Sequence, residues 1–290
     1  MSDDLLTVVS CGIAPEQVDC LFELLDADDF TPTSWYDLEK NVSRIDVFLE
    51  NAEQAPAVCK ALTDAAGLIG IELTPEISKM AKSDWAESWK RFFHVEKISE
   101  RLVVRPSWEK YDAKPGEKVI TLDPGMSFGT GKHETTQACL RFLDRLASEN
   151  PNRRVIDMGC GSGILAIAAK LLGFSEVTAF DNDPDCIHVT KENAAANGVD
   201  FPVTVDDLSH PYPPAGVVVA NILAPILVAF AEQVAASVAD GQDARLILSG
   251  ILDEQYPAVR AAYEAQGMRE LDTILIKNWR SGLFARSVAS

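Results

Sequence analysis

The residues best placed to do chemistry stand in one run, Val155-Ile156-Asp157-Met158-Gly159-Cys160-Gly161-Ser162-Gly163-Ile164. An apolar, strand-like segment gives way to three glycines at alternate positions and then to a helix start. Glycine permits the tight turn and lets a ligand approach the backbone, and the first helical turn offers N–H groups without an internal partner. Two ligand classes use such a turn. A dinucleotide site takes G-x-G-x-x-G, whose third glycine falls where this chain has Ile164. Here the pattern is G-x-G-x-G, with Asp157 just upstream, where a strand-end carboxylate holds a cationic or amine group directly or through water. Asp181 closes the next apolar segment, about 20 residues past the turn, where an acid accepts hydrogen bonds from ribose hydroxyls. S-adenosylmethionine carries a ribose, an ammonium and a sulfonium. Asp157, Gly159, Gly161 and Asp181 therefore favour it over a nicotinamide cofactor.

A second glycine-rich stretch, Gly129-Thr130-Gly131-Lys132-His133, invites a phosphate-loop reading. That motif needs Gly where the chain has Met126 and Ser or Thr where it has His133, so both ends fail. His133 itself admits two readings, a general base or a cap and cofactor-shell residue. The loop from Phe128 to Gly131 has the composition of a lid, with Phe128 covering the ligand or an aliphatic acceptor chain. The four histidines and six cysteines are dispersed, with no CxxC pair and no metal-ligand spacing, so no metal is expected.

The elements that must position these residues alternate regularly. Strands are predicted at Val155–Met158, Glu176–Phe180, Val203–Val205, Val217–Ala220 and Arg245–Ser249. Between them the pattern is helical, at Ile164–Leu172, Pro184–Asn197, Pro225–Ala239 and Glu254–Ala265. Strands at Leu271–Ile276 and Gly282–Ala285 close the chain. This alternation predicts an α/β fold, a doubly wound, Rossmann-like parallel sheet with helices on both faces. Ahead of it the order is strand (residues 4–9), helix (Pro15–Asp26), strands (Thr33–Leu38, Ile45–Leu49), helix (Ala55–Ala66, ended by Gly67) and strand (Leu68–Leu73). That order suggests a small ferredoxin-like α+β module. Residues 76–92 suggest a connecting helix, with Trp85 and Trp89 one turn apart as a packing stripe. The expected domains are 1–76, a linker helix over 77–100, and 101–290.

Charge narrows the partners. The chain of 290 residues has net charge −18. Residues 1–80 hold 4 basic against 16 acidic residues, a net of −12, whereas the other 210 hold 22 against 28, a net of −6. An acidic module repels phosphate and attracts a basic partner, so nucleic acid is not the expected ligand. No apolar run approaches the ~20 residues that span a bilayer. The acidic start resembles neither a secretory nor a transit leader, and scattered cysteines suit a reducing compartment, so a cytoplasmic location is expected.

Three sets of motifs then carry a family resemblance. The first pairs Asp84-Trp85-Ala86-Glu87-Ser88-Trp89-Lys90 with Leu102-Val103-Val104-Arg105-Pro106-Ser107-Trp108. The second is Leu122-Asp123-Pro124-Gly125-Met126-Ser127-Phe128-Gly129-Thr130-Gly131 with His133-Glu134-Thr135-Thr136. The third is the glycine turn with Val219-Ala220-Asn221-Ile222-Leu223-Ala224. Together they resemble the PrmA family, bacterial methyltransferases that modify ribosomal protein L11, over residues 80–290. The resemblance implies a substrate-recognition module joined by a flexible helix to a methyltransferase domain, and S-adenosylmethionine contacts from Thr136, Gly159, Asp181 and Asn221. It implies amino groups of a basic ribosomal protein, lysine side chains or an N-terminus, as acceptors up to the trimethylated state. The chain departs from the family pattern at Lys132 and at Asn278, which stands where Glu is expected.

Asn221 is the residue expected at the acceptor, with Leu223 beside it; a capping Asn before Pro225 is the plainer alternative. Little acid–base chemistry is demanded beyond presenting a neutral amine, so positioning carries most of the rate. A monomer is expected. Competing readings are another protein lysine or small amine as acceptor, an NAD-linked oxidoreductase, and a non-catalytic binding module on the same fold. Ile164 argues against the oxidoreductase, and intact Asp157, Asp181 and Asn221 argue against the binding module.

Overall fold

The structure is a computed structural model that describes residues 5–18, 21, 25, 30, 32–37, 42–49, 51–81, 93–123, 131–210 and 212–287. The chain divides into two compact units, residues 1–92 and 93–290.

The first unit contains β1 (Leu5–Ile13), β2 (Pro32–Asp37), β3 (Val42–Leu49), α1 (Ala55–Leu68) and β4 (Glu76–Ala81). Its antiparallel sheet runs β2-β3-β1-β4, the strand arrangement of the expected ferredoxin-like module. Alternation places Val9, Cys11 and Ile13 with Ile45, Val47 and Leu49 on one face. They pack against Val58, Leu62, Ala65 and Ala66 of α1. On β1 and β3, Ser10 Oγ donates to Asp46 Oδ1 (2.6 Å), which Arg44 also pairs with at 2.8 Å.

Two expectations for this unit need correction. No strand forms over Leu68–Leu73, because α1 runs past Gly67 and ends at Leu68. Gly70, at φ +73°, takes the left-handed position. Its N–H donates to Gly67 O while Ile71 N–H reaches back to Ala66 O, closing a Schellman turn. The last strand is instead Glu76–Ala81, the segment assigned to the start of a linker helix. Six residues of it register against β1, so backbone pairing decided what propensity did not. The rest of that helix, with Trp85 and Trp89, lies outside the described residues up to residue 92. Beyond it, residues 96–97 are extended rather than helical. In the Pro15–Asp26 stretch, Pro15–Gln17 form a 3-10 turn and the described residues Val18 and Leu21 are helical; Val18, Leu21 and Leu25 are buried in the same core.

The second unit opens with a three-stranded sheet of β5 (Glu96–Lys97), β6 (Leu102–Arg105) and β7 (Lys118–Thr121). Then come α2 (Glu134–Glu149), β8 (Arg154–Met158), α3 (Ile164–Leu172), β9 (Glu176–Asp181), α4 (Pro184–Ala196), β10 (Val203–Val205) and β11 (Val217–Asn221). α5 (Ala224–Ala229), α6 (Ala231–Ala236), β12 (Arg245–Leu252), α7 (Tyr256–Ala265), β13 (Met268–Ile276) and β14 (Trp279–Arg286) complete it. The seven-stranded sheet runs β10-β9-β8-β11-β12-β14-β13. Strands β8 to β12 are parallel, and β14 runs against both neighbours. Central strands such as Val217–Asn221 are apolar almost throughout because helices cover both faces. Two apolar layers result, one around α2 and α3, the other around α5, α6 and α7.

The chain winds outward from β8 in one direction and from β11 in the other. The carboxyl ends of these two strands flank the topological switch point, where open α/β sheets bind ligands. The sequence reading assigns no element to residues 134–149, yet α2 fills them. Its stripe of Ala138, Cys139, Phe142, Leu143 and Leu146 is fully buried. The helix expected over Pro225–Ala239 is split at Phe230 (φ −110°, ψ 24°). No helix among the described residues is long and apolar enough to cross a membrane.

Candidate active site

The turn after β8 is held from below by the end of β9. Gly159 and Cys160 both donate N–H bonds to Phe180 O (2.9 and 3.0 Å). Asp181 accepts from Gly161 N–H through Oδ2 (2.8 Å) and from Asp183 N–H through Oδ1 (3.1 Å). Each carboxylate oxygen keeps a lone pair for a ligand. Gly163 stands at φ +78°, and a Cβ there would lie 2.6 Å from Thr190 Cγ2. Only glycine fits that approach of α3 to α4.

Asp157 is 1% exposed. Its Oδ2 accepts from Ala166 N–H in the first turn of α3 (3.1 Å), while Oδ1 is buried without a partner. Burial pushes its carboxyl up to about 7; the Ala166 N–H opposes the shift and the charge on Asp181 adds to it.

Above the turn opens a cavity of about 430 Å³. Of the residues singled out from sequence, Thr136, Gly159, Gly161, Asp181, Asn221, His133 and Leu223 line it. Asp157 is not among the lining residues; it lies behind the turn. Phe128 falls outside the described residues. Two hydroxyl and amide oxygens, Thr136 Oγ1 and Asn221 Oδ1, are buried at this site with no hydrogen-bond partner. Such orphans are rare in folded proteins, and each calls for a partner such as a bound ligand or an ordered water.

His133 is the N-cap of α2. Its Nδ1 accepts from Thr135 N–H (3.3 Å) and lies 2.7 Å from Thr135 Oγ1. With Nδ1 an acceptor, the neutral ring carries its proton on Nε2, and burial lowers its affinity for a second. The general-base alternative is thereby disfavoured and the capping role is observed.

Sequence reasoning missed three contributors. A second cavity of about 330 Å³ shares Gly159, Asn182, Ile222 and Ile226 with the first. It is lined beyond them by Phe180, Asp206, Asp207, Leu208, Ser209 and Phe230. Its loop is fixed by Tyr212, whose ring stacks on Phe180 (centroids 4.3 Å) and whose hydroxyl donates to Asp207 O (2.7 Å). An Asp-Asp pair after the third parallel strand was the available signal. His210 Nε2 lies against Asp206 Oδ1. The second contributor is Gly250, at φ +81°, where a Cβ would stand 2.4 Å from Ile222 O. It forms part of a bulge in β12 whose Ser249 O accepts from Ile222 N–H (3.2 Å). The third, Trp279, comes from the β13–β14 hairpin and meets His133 edge-on at 4.9 Å.

A doubly wound sheet with one reversed strand near its edge, and a glycine turn under a two-lobed crevice at its switch point, define a Rossmann-like methyltransferase. The particular family follows from likeness along the whole chain. The family model described as ribosomal protein L11 methyltransferase (PrmA) matches residues 2–286. A ribosomal protein L11 methyltransferase of Syntrophotalea carbinolica is 42% identical over 236 residues, 80% of this chain and 76% of that one. One of Geobacter metallireducens is 38% identical over 255 residues, 88% and 79% of the two chains. The crystal structure of a ribosomal protein L11 methylase from Lactobacillus delbrueckii subsp. bulgaricus superposes with a TM-score of 0.60 at 32% identity. It covers 68% of this chain and all of that one. The chain belongs to the ribosomal protein L11 methyltransferase family and is a protein methyltransferase.

Proposed function

We propose that the chain transfers methyl groups from S-adenosylmethionine to lysine side-chain or N-terminal amines of ribosomal protein L11, as a cytoplasmic monomer. The observation that carries the reading is the set of orphaned oxygens, Thr136 Oγ1, Asn221 Oδ1 and Asp157 Oδ1, around one glycine turn. A ligand with an amino-acid end and a nucleoside end matches the two adjoining cavities. Asp181 faces the position of a ribose. Phe180, Leu208, Ile226 and Phe230 offer an apolar lining for a purine. Asp157, one layer down, offers a carboxylate to an ammonium. The apolar and carboxylate lining does not suit the pyrophosphate of a dinucleotide, which supports the choice already made from Ile164.

The donor's sulfonium supplies the methyl group. The chain's own residues hold and orient the acceptor. Asn221 Oδ1 accepts an N–H bond from the incoming amine and so orients the amine's lone pair. Gly250 packs on the Ile222 backbone and fixes the turn that presents Asn221. Leu223, 63% exposed at the mouth, covers the aliphatic stem of a lysine. A free lysine amine has pKa ~10.4, so desolvation between Leu223 and Trp279, with water taking the proton, supplies the neutral form. No side chain is required as a general base, in keeping with a capped, neutral His133.

Incubation of purified L11 with the full chain and S-adenosylmethionine, followed by intact-mass and peptide mass spectrometry, tests the reading. Mass added in methyl steps on lysines or the N-terminus is expected. No added mass, from a preparation that still binds S-adenosylmethionine, overturns the substrate.

A further inference from the structure

Among the described residues, the aromatic lining of the larger cavity comes from two rings, His133 and Trp279. They are held together at 4.9 Å with 66° between their planes, so the position of the indole is fixed by a capped helix start. His133 presents no positive charge to it, because its Nδ1 is an acceptor and its ring is desolvated. The two cations that flank Trp279 in sequence are drawn elsewhere. Lys277, at the left-handed corner of the hairpin (φ 52°), pairs with Glu134. Arg280 pairs with Asp253 (2.6 Å) and lies over the Tyr256 ring at 5.6 Å. Among the described residues, no cation sits on the Trp279 ring. A tryptophan that lines the same cavity as Asn221, partly exposed and with no cation on its ring among the described residues, is the strongest side-chain site for an alkylammonium.

We infer that Trp279 is a specificity-determining residue: its ring is the wall that holds the acceptor's ammonium, and its mono- and dimethylated successors, through successive transfers. The inference rests on the amine-methylating reading above. In each round the neutral amine's lone pair forms an N–C bond to the methyl carbon. The C–S bond breaks with its electron pair left on sulfur. The resulting ammonium gives one N–H proton to water before it attacks again. After the third transfer no N–H remains and the nitrogen is permanently cationic. Each methyl removes an N–H donor, so the bond to Asn221 Oδ1 weakens in number as methylation proceeds. Attraction between a cation and an indole face does not need N–H groups, so it keeps partly methylated acceptor in place.

The test uses the full chain with Trp279→Phe and Trp279→Leu, L11 and S-adenosylmethionine, and reads mono-, di- and trimethylated products at low turnover. Trp279→Leu is expected to cut the trimethylated fraction about fivefold, Phe restoring part of it. S-adenosylmethionine affinity should stay within about twofold. An unchanged product distribution, or a parallel loss of cofactor affinity, overturns the inference. A second arm does not depend on L11 or on the variants' activity. The Trp279 indole N–H resonance is assigned by its absence in Trp279→Phe. It is then followed while choline, or its neutral isostere 3,3-dimethylbutan-1-ol, is titrated into the chain with S-adenosylhomocysteine. A shift with choline alone supports the wall; no shift, or equal shifts with both, overturns it. If L11 takes up no methyl from the unmodified chain, the substrate reading fails and the choline titration still decides the role of Trp279.

Discussion

Asp157 and Asp181 are both carboxylates at strand ends, yet their surroundings give them different work. Asp181 is anchored by two backbone N–H groups and faces the crevice. In Asp181→Ala, S-adenosylmethionine binding should weaken at least about tenfold, ~1.4 kcal/mol; equilibrium dialysis that finds unchanged affinity removes Asp181 from the site. Asp157 is buried and protonates near 7, well above its ordinary value. A cationic ligand favours its ionised form. Below about pH 7 binding must therefore expel a proton, and affinity should fall by up to about tenfold per unit as pH drops; above 7 it should level off. Calorimetry in buffers of differing ionisation enthalpy checks this as proton release on binding at pH 6. Asp157→Asn should abolish both the release and the pH dependence. Cofactor binding that is flat from pH 6 to 8 would dissociate Asp157 from the ammonium.

At the scale of elements, the site depends on close approaches that have no tolerance for a side chain. Gly163 joins the glycine turn to α3, and Thr190 of α4 fills the space a Cβ there would need. Gly163→Ala adds a Cβ at positive φ and 2.6 Å from Thr190 Cγ2, and should cost about 1–3 kcal/mol in urea unfolding. Thr190→Ser removes the nearest clashing group, Cγ2, but keeps the hydroxyl, which bonds Gly161 O (2.9 Å) and lies 2.9 Å from the added Cβ. The double variant should therefore recover part of the loss. Strict additivity of the two changes would show that backbone strain alone, and not the contact, sets the cost. The same logic explains which element was invisible beforehand. The stripe Ala138, Cys139, Phe142, Leu143, Leu146 is regular, but its start is capped by a histidine rather than by Ser, Thr, Asp or Asn.

At the scale of the molecule, charge is divided unevenly, −12 over residues 1–80 against −6 over the remainder. Capture of a protein substrate by that field should be sensitive to ionic strength, whereas binding of the small cofactor should not. Raising salt from about 50 to about 300 mM should increase KM for L11 several-fold while kcat and cofactor affinity change little. Steady-state kinetics across that range decide it, and a KM indifferent to salt would remove electrostatics from substrate capture.

The glycine turn, the alternating elements and the acidic first unit were legible in the sequence because each depends on local order: φ above zero, a period of side chains, a count of charges. Asn221 and Asp181 were legible for the same reason, as polar residues closing apolar strands. Other features depended on pairing between distant segments. Glu76–Ala81 became a strand only by registering against Leu5–Ser10. Trp279 entered the crevice only because β14 folds back beside β12 and sets its ring against His133. Gly250 acquired its purpose from Ile222, a neighbour brought across by parallel pairing of β11 and β12. Local chemistry thus determined which turns and polar strand ends the chain offers, and long-range strand pairing, which no short window of sequence encodes, decided which side chains surround them.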